Sequence, residues 1–235
     1  MADQLTLGLL GGTGPQGRGL ALRFALAGHQ VLLGSRSEER ARSVVAELFE
    51  RDLPVRGVAN PEAAAEAEVV LLTFPFEGQR ALLPGLAEAI GDKVVVDVVN
   101  PLGWDELGAF MLDIPEGSAA EQAQALLPRA RVTAAFHHAP PRLLADPDRE
   151  VDTDVLVAGD DPAARAVVIG LADVIPGCRG IDAGPLRLAR YLEGLTAVVV
   201  SVNRRYKIHA GVRITRLSEE RRLRLAPPAA GEEGS

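Results

Sequence analysis

The chain contains one cysteine, two lysines and no apolar run near the roughly 18 residues that a membrane span requires. Each scarcity narrows the function. The lone Cys178 excludes an intramolecular disulfide and any cysteine-built metal motif, and it fits a reducing, cytoplasmic setting. No metal-ligand cluster is visible in the sequence, so no metal is expected, and there is no internal repeat. The missing apolar run makes a soluble chain without a membrane partner the expectation. A strand and a glycine turn are expected almost directly after Met1, which leaves no place for a signal peptide. The net charge is −7 and no basic cluster precedes the C-terminal region, so nucleic acid is not an expected partner. What remains is a chain of 235 residues, 47% hydrophobic, able to bury a core as one large domain or as one and a half.

The most informative stretch present is the opening, where Leu5-Thr6-Leu7-Gly8-Leu9-Leu10 runs into Gly11-Gly12-Thr13-Gly14-Pro15-Gln16-Gly17. Gly12, Gly14 and Gly17 make a G-x-G-x-x-G pattern, and Leu20, Leu22, Phe24 and Leu26 follow at helical spacing. Strand, glycine turn and helix are the context that a dinucleotide-binding fingerprint needs. Gly12 is expected to allow the tight turn, Gly14 to let backbone approach a pyrophosphate, and Gly17 to let the helix pack close. The free N–H groups and positive dipole end of that helix would face the phosphates. A second strand, Gln30 to Leu33, ends at Gly34-Ser35-Arg36, about 20 residues past the glycines, where the adenosine ribose is expected. A carboxylate there would accept from a 2′-hydroxyl; Ser35 and Arg36, with Arg40 and Arg42 following, suit a 2′-phosphate instead. NADP is therefore expected over NAD. The alternative is that Arg36 and Arg40 only pair with Glu38 and Glu39 at a helix start. His29 reads as a surface turn residue.

Further along, helical spacing covers Ser37 to Arg51 with Ser37 as a plausible N-cap, and a short strand covers Pro54 to Val58. A helix begins at Asn60-Pro61. Val69 to Thr73 and Lys93 to Val99 read as buried strands that end in Phe74-Pro75-Phe76 and Asn100-Pro101, on the edge where such folds bind ligands. Glu77 to Ala89 reads as a helix, Gly103 to Gly117 as a loop, and Ser118 to Leu127 as another helix. A strand over Arg131 to Phe136 leads to His137-His138-Ala139-Pro140-Pro141. As adjacent strand residues, the two histidines are expected to point to opposite faces. Two short strands, Asp154 to Ala158 and Gly180 to Ala183, flank a helix starting at Asp161-Pro162, and Leu186 to Tyr206 reads as one long apolar helix that buries against a partner subunit. The stretch from Leu225 to Ser235 reads as a disordered tail.

Taken together, Leu9-Leu10-Gly11-Gly12-Thr13-Gly14, Gly34-Ser35-Arg36, Ala135-Phe136-His137 and Asp182-Ala183-Gly184-Pro185-Leu186 resemble the NADPH:coenzyme F420 oxidoreductases. The likeness runs from about Leu5 to about Leu217. It implies a Rossmann-type, doubly wound, mainly parallel sheet of about eight strands over residues 1–184, and a smaller helical part over 185–224. It also implies hydride transfer between NADP(H) and the 5-deazaflavin F420; a homodimer is expected separately, from the apolar surface of the long helix. In that resemblance Thr13, Gly14, Pro15 and Gln16 hold the pyrophosphate, and Ser35, Arg36 and Arg40 hold the 2′-phosphate. Phe74, Phe76, Asn100, His137 and Pro141 surround the nicotinamide and the deazaflavin. Pro15 departs from the pattern by removing a backbone donor, and Phe76 stands where an indole often stands.

Hydride transfer between two stacked rings needs alignment and dryness and demands no protein acid or base. The chain offers no obvious proton donor. The long helix carries Arg187 and Arg190 at its start, where a hydroxyacid dehydrogenase would commonly place a lysine, and the two lysines are Lys93 and Lys207. No catalytic residue is expected, with His137 as a ring-positioning side chain. Two other readings stay open at this point: an NADPH-dependent ketone or imine reductase with His137 or His138 as proton donor, and a non-catalytic NADP(H) sensor.

Overall fold

In a computed structural model the described residues are 4–48 and 52–225. The last residues of the expected 37–51 helix and the expected tail after Leu225 lie outside them. The order is β1 (Thr6–Leu10), α1 (Pro15–Leu26), β2 (Gln30–Ser35), α2 (Glu38–Leu48), β3 (Val55–Ala59), α3 (Asn60–Glu66), β4 (Val69–Leu72), α4 (Gln79–Leu82), α5 (Ala87–Ile90) and β5 (Val94–Asp97). There follow β6 (Leu102–Asp105), β7 (Gly108–Met111), α6 (Ala119–Leu126), β8 (Arg131–Ala134), α7 (Pro141–Leu144), β9 (Thr153–Gly159), α8 (Pro162–Asp173), β10 (Cys178–Gly184), α9 (Ala189–Tyr206) and α10 (Glu219–Leu225). No described helix is long and apolar enough to cross a membrane.

Eight strands form one sheet in the order β10-β9-β8-β5-β4-β1-β2-β3. All neighbours are parallel except β8 and β9. Sequence order reverses between β1 and β4, which opens a crevice at the carboxyl ends of these strands. Alternation along the strands builds two cores. Leu7, Leu9, Val31, Leu33 and Leu71 meet α1 on one face, and Leu10, Leu32, Val70, Leu72 and Val95 meet α3, α6 and α9 on the other. The expected doubly wound α/β fold is the observed one.

Several local expectations need correction. The 77–89 segment is not one helix: Pro84 and Gly85 sit in a 3₁₀ turn over Leu83–Leu86 that separates α4 from α5. Residues 102–111 are a hairpin, not a loop, since Asp105 Oδ1 accepts the N–H groups of Leu107 and Gly108 and closes the turn. His29 is buried, not a surface turn residue: its Nδ1 accepts the Leu5 N–H at 3.2 Å and its ring meets Phe24 edge-on. Strand β8 stops at Ala134, because Phe136 takes a left-handed φ of 64°. That conformation costs a bulky residue about 1–2 kcal/mol. Burial of its ring edge-on to Phe24 at 6.0 Å offsets the cost.

Helix α9 is tied to the sheet edge by a buried carboxyl. The Ala119 and Ala120 N–H groups at the start of α6 donate to Glu193 at 3.0 and 3.1 Å. Burial raises the Glu193 ionisation to about 7 against the pull of those two donors. Asp97, also buried, accepts the Val99 N–H at 2.8 Å and is pushed up by burial and by the charge of Glu193. The native protein therefore keeps a proton on Glu193 that the unfolded chain has already lost. The stability this contributes is complete below the ordinary carboxylate range and drains away as pH rises through neutrality. Thermal melts from about pH 5 to 8 should show wild type losing Tm relative to Glu193→Gln, and parallel curves would contradict the assignment.

Candidate functional site

The crevice at the strand reversal is a cavity of about 1160 Å³. Its glycine turn is built by crowding. Gly11, with φ 72°, makes the tight bend in place of the expected Gly12, and its N–H donates to Asn60 Oδ1 at 3.0 Å. Gly12 is a packing position: a Cβ there would meet Leu33 Cδ1 at 2.8 Å, and one on Gly17 would meet Gly12 backbone at 2.5 Å. Neither Gly12 nor Gly17 lines the cavity. Gly14 does, and a Cβ on it would meet nothing within 4 Å. Open space thus lies directly against the start of α1. Pro15 occupies the first helical position, where its missing N–H would have no intrahelical acceptor anyway. No acidic residue sits in the first turn to neutralise the positive helix end. Gln16 faces the cavity and also ties the turn to the far strand, its Nε2 donating to Phe136 O at 3.1 Å.

At the end of β2, Ser35 is buried while Arg36 and Arg40 are exposed, and all three line the cavity. Ser37 caps α2 by accepting the Arg40 N–H, as expected. Neither Arg36 nor Arg40 forms an ion pair among the described residues; Glu38 is paired with Arg42. Two guanidinium groups are thus available for an anion.

Across the cavity stand Phe74, Phe76, Asn100, His137, His138 and Pro141. The carbonyl of His137 accepts from Asn100 Nδ2 at 3.1 Å and from Thr196 Oγ1 on α9 at 3.3 Å. The left-handed Phe136 sends the chain off the strand, so both histidines line one cavity, contrary to the opposite-face expectation. Both are buried. Burial lowers His138 to about 4, and burial together with the nearby His138 lowers His137 to about 3. Both values favour the neutral imidazole at pH 7. Both His137 nitrogens, His138 Nδ1 and Asn100 Oδ1 lack hydrogen-bond partners among the described residues. Buried polar atoms left in this state fit a polar ligand such as a carboxamide or an oxidised ring edge.

The cavity therefore gathers twelve of fourteen residues expected at the dinucleotide and deazaflavin site, all but Gly12 and Gly17, while Arg42, also considered for the 2′-phosphate, lies outside it and pairs with Glu38. Sequence reasoning missed Asn60, Thr196 and Asn203. The Asn60-Pro61 pair signals a helix start, and nothing in it shows that the side chain reaches Gly11. Thr196 and Asn203 lie on one face of α9, and only packing of that helix turns the face toward the crevice.

Residues 6–101 match the family described as NADP oxidoreductase, coenzyme F420-dependent. The chain is 43% identical over 224 residues to an F420-dependent NADP reductase of Methanothermobacter marburgensis, covering 92% of this chain and 100% of that one. A second such reductase, from Methanothermobacter thermautotrophicus, is 40% identical over 225 residues, covering 92% of this chain and 97% of the relative. Among solved structures, a candidate F420-dependent NADP-reductase from Arthrobacter sp. FB24 superposes with a TM-score of 0.78 at 28% identity, covering 91% and 100% of the two chains. With this likeness over 92% of its length, the chain belongs to the F420-dependent NADP reductases.

Proposed function

We propose that the cavity carries hydride transfer between NADP(H) and coenzyme F420, with both ligands held at once. The observation that carries this reading is one cavity of about 1160 Å³, above the ~300–1,000 Å³ usual for a small-molecule site, that runs from Arg36 to the neutral histidines. Bound NADPH supplies the hydride, and the deazaflavin ring of F420 accepts it. The chain binds and orients. Thr13, Gly14, Pro15 and Gln16 hold the pyrophosphate at the helix start, and Ser35, Arg36 and Arg40 hold the 2′-phosphate. Phe74, Phe76 and Pro141 exclude water from the ring pair, and Asn100 and His137 fix its polar edge. His137 positions; it moves no proton. Its neutrality, and that of His138, weighs against a ketone or imine reductase that would need either as acid.

Residues 1–184 serve the dinucleotide in this reading, and 185–224 shape the deazaflavin side through α9. A second copy is proposed to cover the exposed apolar side chains of α9 and the β6–β7 hairpin, among them Tyr191, Val198, Trp104 and Leu107. Nucleic acid is not a proposed partner for a chain of net charge −7, and a cytoplasmic setting rests on its single buried thiol, Cys178.

Three measurements check these points. Purified protein with NADPH should bleach the visible absorbance of F420, at a rate nearly flat from about pH 6 to 8 because no histidine titrates in the hydride step. An ionisation near neutrality, lost in His137→Asn, would favour acid catalysis. Arg36→Ala should weaken NADPH binding by roughly 1–3 kcal/mol and spare NADH, since the contact is to the 2′-phosphate alone. Equal losses would make Arg36 structural. Light scattering should return twice the mass of the chain, and a monomer would remove the second copy.

A further inference from the structure

A second cleft, of about 630 Å³, runs between α1 and α7 and opens onto the glycine turn. It shares Thr13, Gly14, Pro15, Arg40 and Pro141 with the main cavity, so the two are continuous. Leu22, Ala145 and three arginines, Arg18, Arg40 and Arg142, complete its lining.

The cleft is built rather than incidental. A Cβ on Gly19 would lie 2.6 Å from Leu144 Cβ, so α1 and α7 are in direct backbone-level contact. The buried Arg23 guanidinium donates to the carbonyls of Leu143, Leu144, Asp146 and Arg149, which pins the segment carrying Arg142 against α1. Arg18 is set by its own hydrogen bond, Nε to Thr13 O at 2.7 Å. None of the three lining arginines has an ion-pair partner among the described residues. Among carboxylates close to them in sequence, Glu38 is paired with Arg42 and Asp146 with Arg149. Three cations converging on a preformed cleft repel one another until an anion joins them. In a chain of net charge −7, that concentration stands against the general field.

The main cavity accounts for the pyrophosphate and the 2′-phosphate but leaves no cation for the other ligand. Coenzyme F420 carries a phosphate and glutamate carboxylates on the chain beyond its ring. We propose that the α1–α7 cleft binds this anionic side chain through Arg18 and Arg142, while the ring lies beside His137 and Pro141. The inference rests on the F420 reading above. Under it the cleft selects the full coenzyme over the bare deazaflavin by binding, without altering the reacting rings.

The test measures dissociation constants from deazaflavin fluorescence, without NADP, for full F420, for the phosphate-bearing form without glutamates, and for the tail-less ring. Wild type should bind full F420 more tightly than the tail-less ring, and the difference should shrink with salt. Arg142→Gln, and Ala145→Glu as an independent variant that places a like charge in the cleft, should each weaken full F420 by about five- to tenfold. Both should leave the tail-less ring unchanged, and the phosphate-bearing form tells whether phosphate or carboxylates carry the contact. An unchanged ratio of full to tail-less affinity overturns the cleft assignment while the F420 reading stands. A loss confined to NADPH gives the cleft to the dinucleotide and also overturns it. Failure of wild type to bind any deazaflavin overturns the F420 reading itself.

Discussion

Everything in the site depends on backbone packing against backbone at the start of α1. Gly17 sits on the Gly12 peptide, and Gly12 donates to both Leu9 O and Gly34 O, at 3.1 and 2.9 Å. No side chain fits between these segments. The first turn of α1 is thereby drawn onto the ends of β1 and β2, with its free N–H groups aimed into the crevice. Arg36, one residue beyond β2, stands on the same edge as a direct result. Side chains larger than hydrogen at Gly12 or Gly17 would push the helix away and separate phosphate turn from arginines.

A second constraint sets the opposite wall. The left-handed Phe136 breaks β8 one residue after its strand contacts end, and it does so under a ring locked against Phe24. Its carbonyl takes Gln16, the His137 carbonyl takes Asn100 and Thr196, and the strand is thus joined to α1, β5 and α9 at one place. Local backbone strain held by surrounding contacts is a common way to fix a functional segment. Here it swings two imidazoles out of strand alternation and into one cavity.

Buried polar side chains do complementary work away from the cavity. Arg23 satisfies four carbonyls of the 143–149 segment, which has little regular structure to pair them. Asp154, fully buried, is held ionised by Arg179 and Arg213 and accepts the Ile214 N–H, so it fastens the chain beyond α9 to β9 and β10. Glu193 fastens α9 itself to α6. The helix that closes the cavity is therefore anchored by polar contacts at its base, and its apolar residues Ala189 and Leu192, with Leu186 in the turn before it, complete the core on one sheet face.

The sequence by itself determined the doubly wound fold, the glycine turn at its centre and the expectation of NADP over NAD. These follow from local signals: apolar runs at strand and helix period, a glycine spacing, and Ser35-Arg36 where a carboxylate would otherwise stand. Most of the site residues it singled out do line the cavity, because strand ends deliver them to a common edge. Only the tertiary structure decided which glycine turns and which glycine packs, since a positive φ and a forbidden Cβ depend on neighbours distant in sequence. The same holds for the hairpin at 102–111, for Asn60 and Thr196, and for the shared orientation of His137 and His138. The neutrality of those two imidazoles is likewise tertiary, because it comes from the solvent that folding removes, and no spacing in a sequence records how much water a side chain will lose.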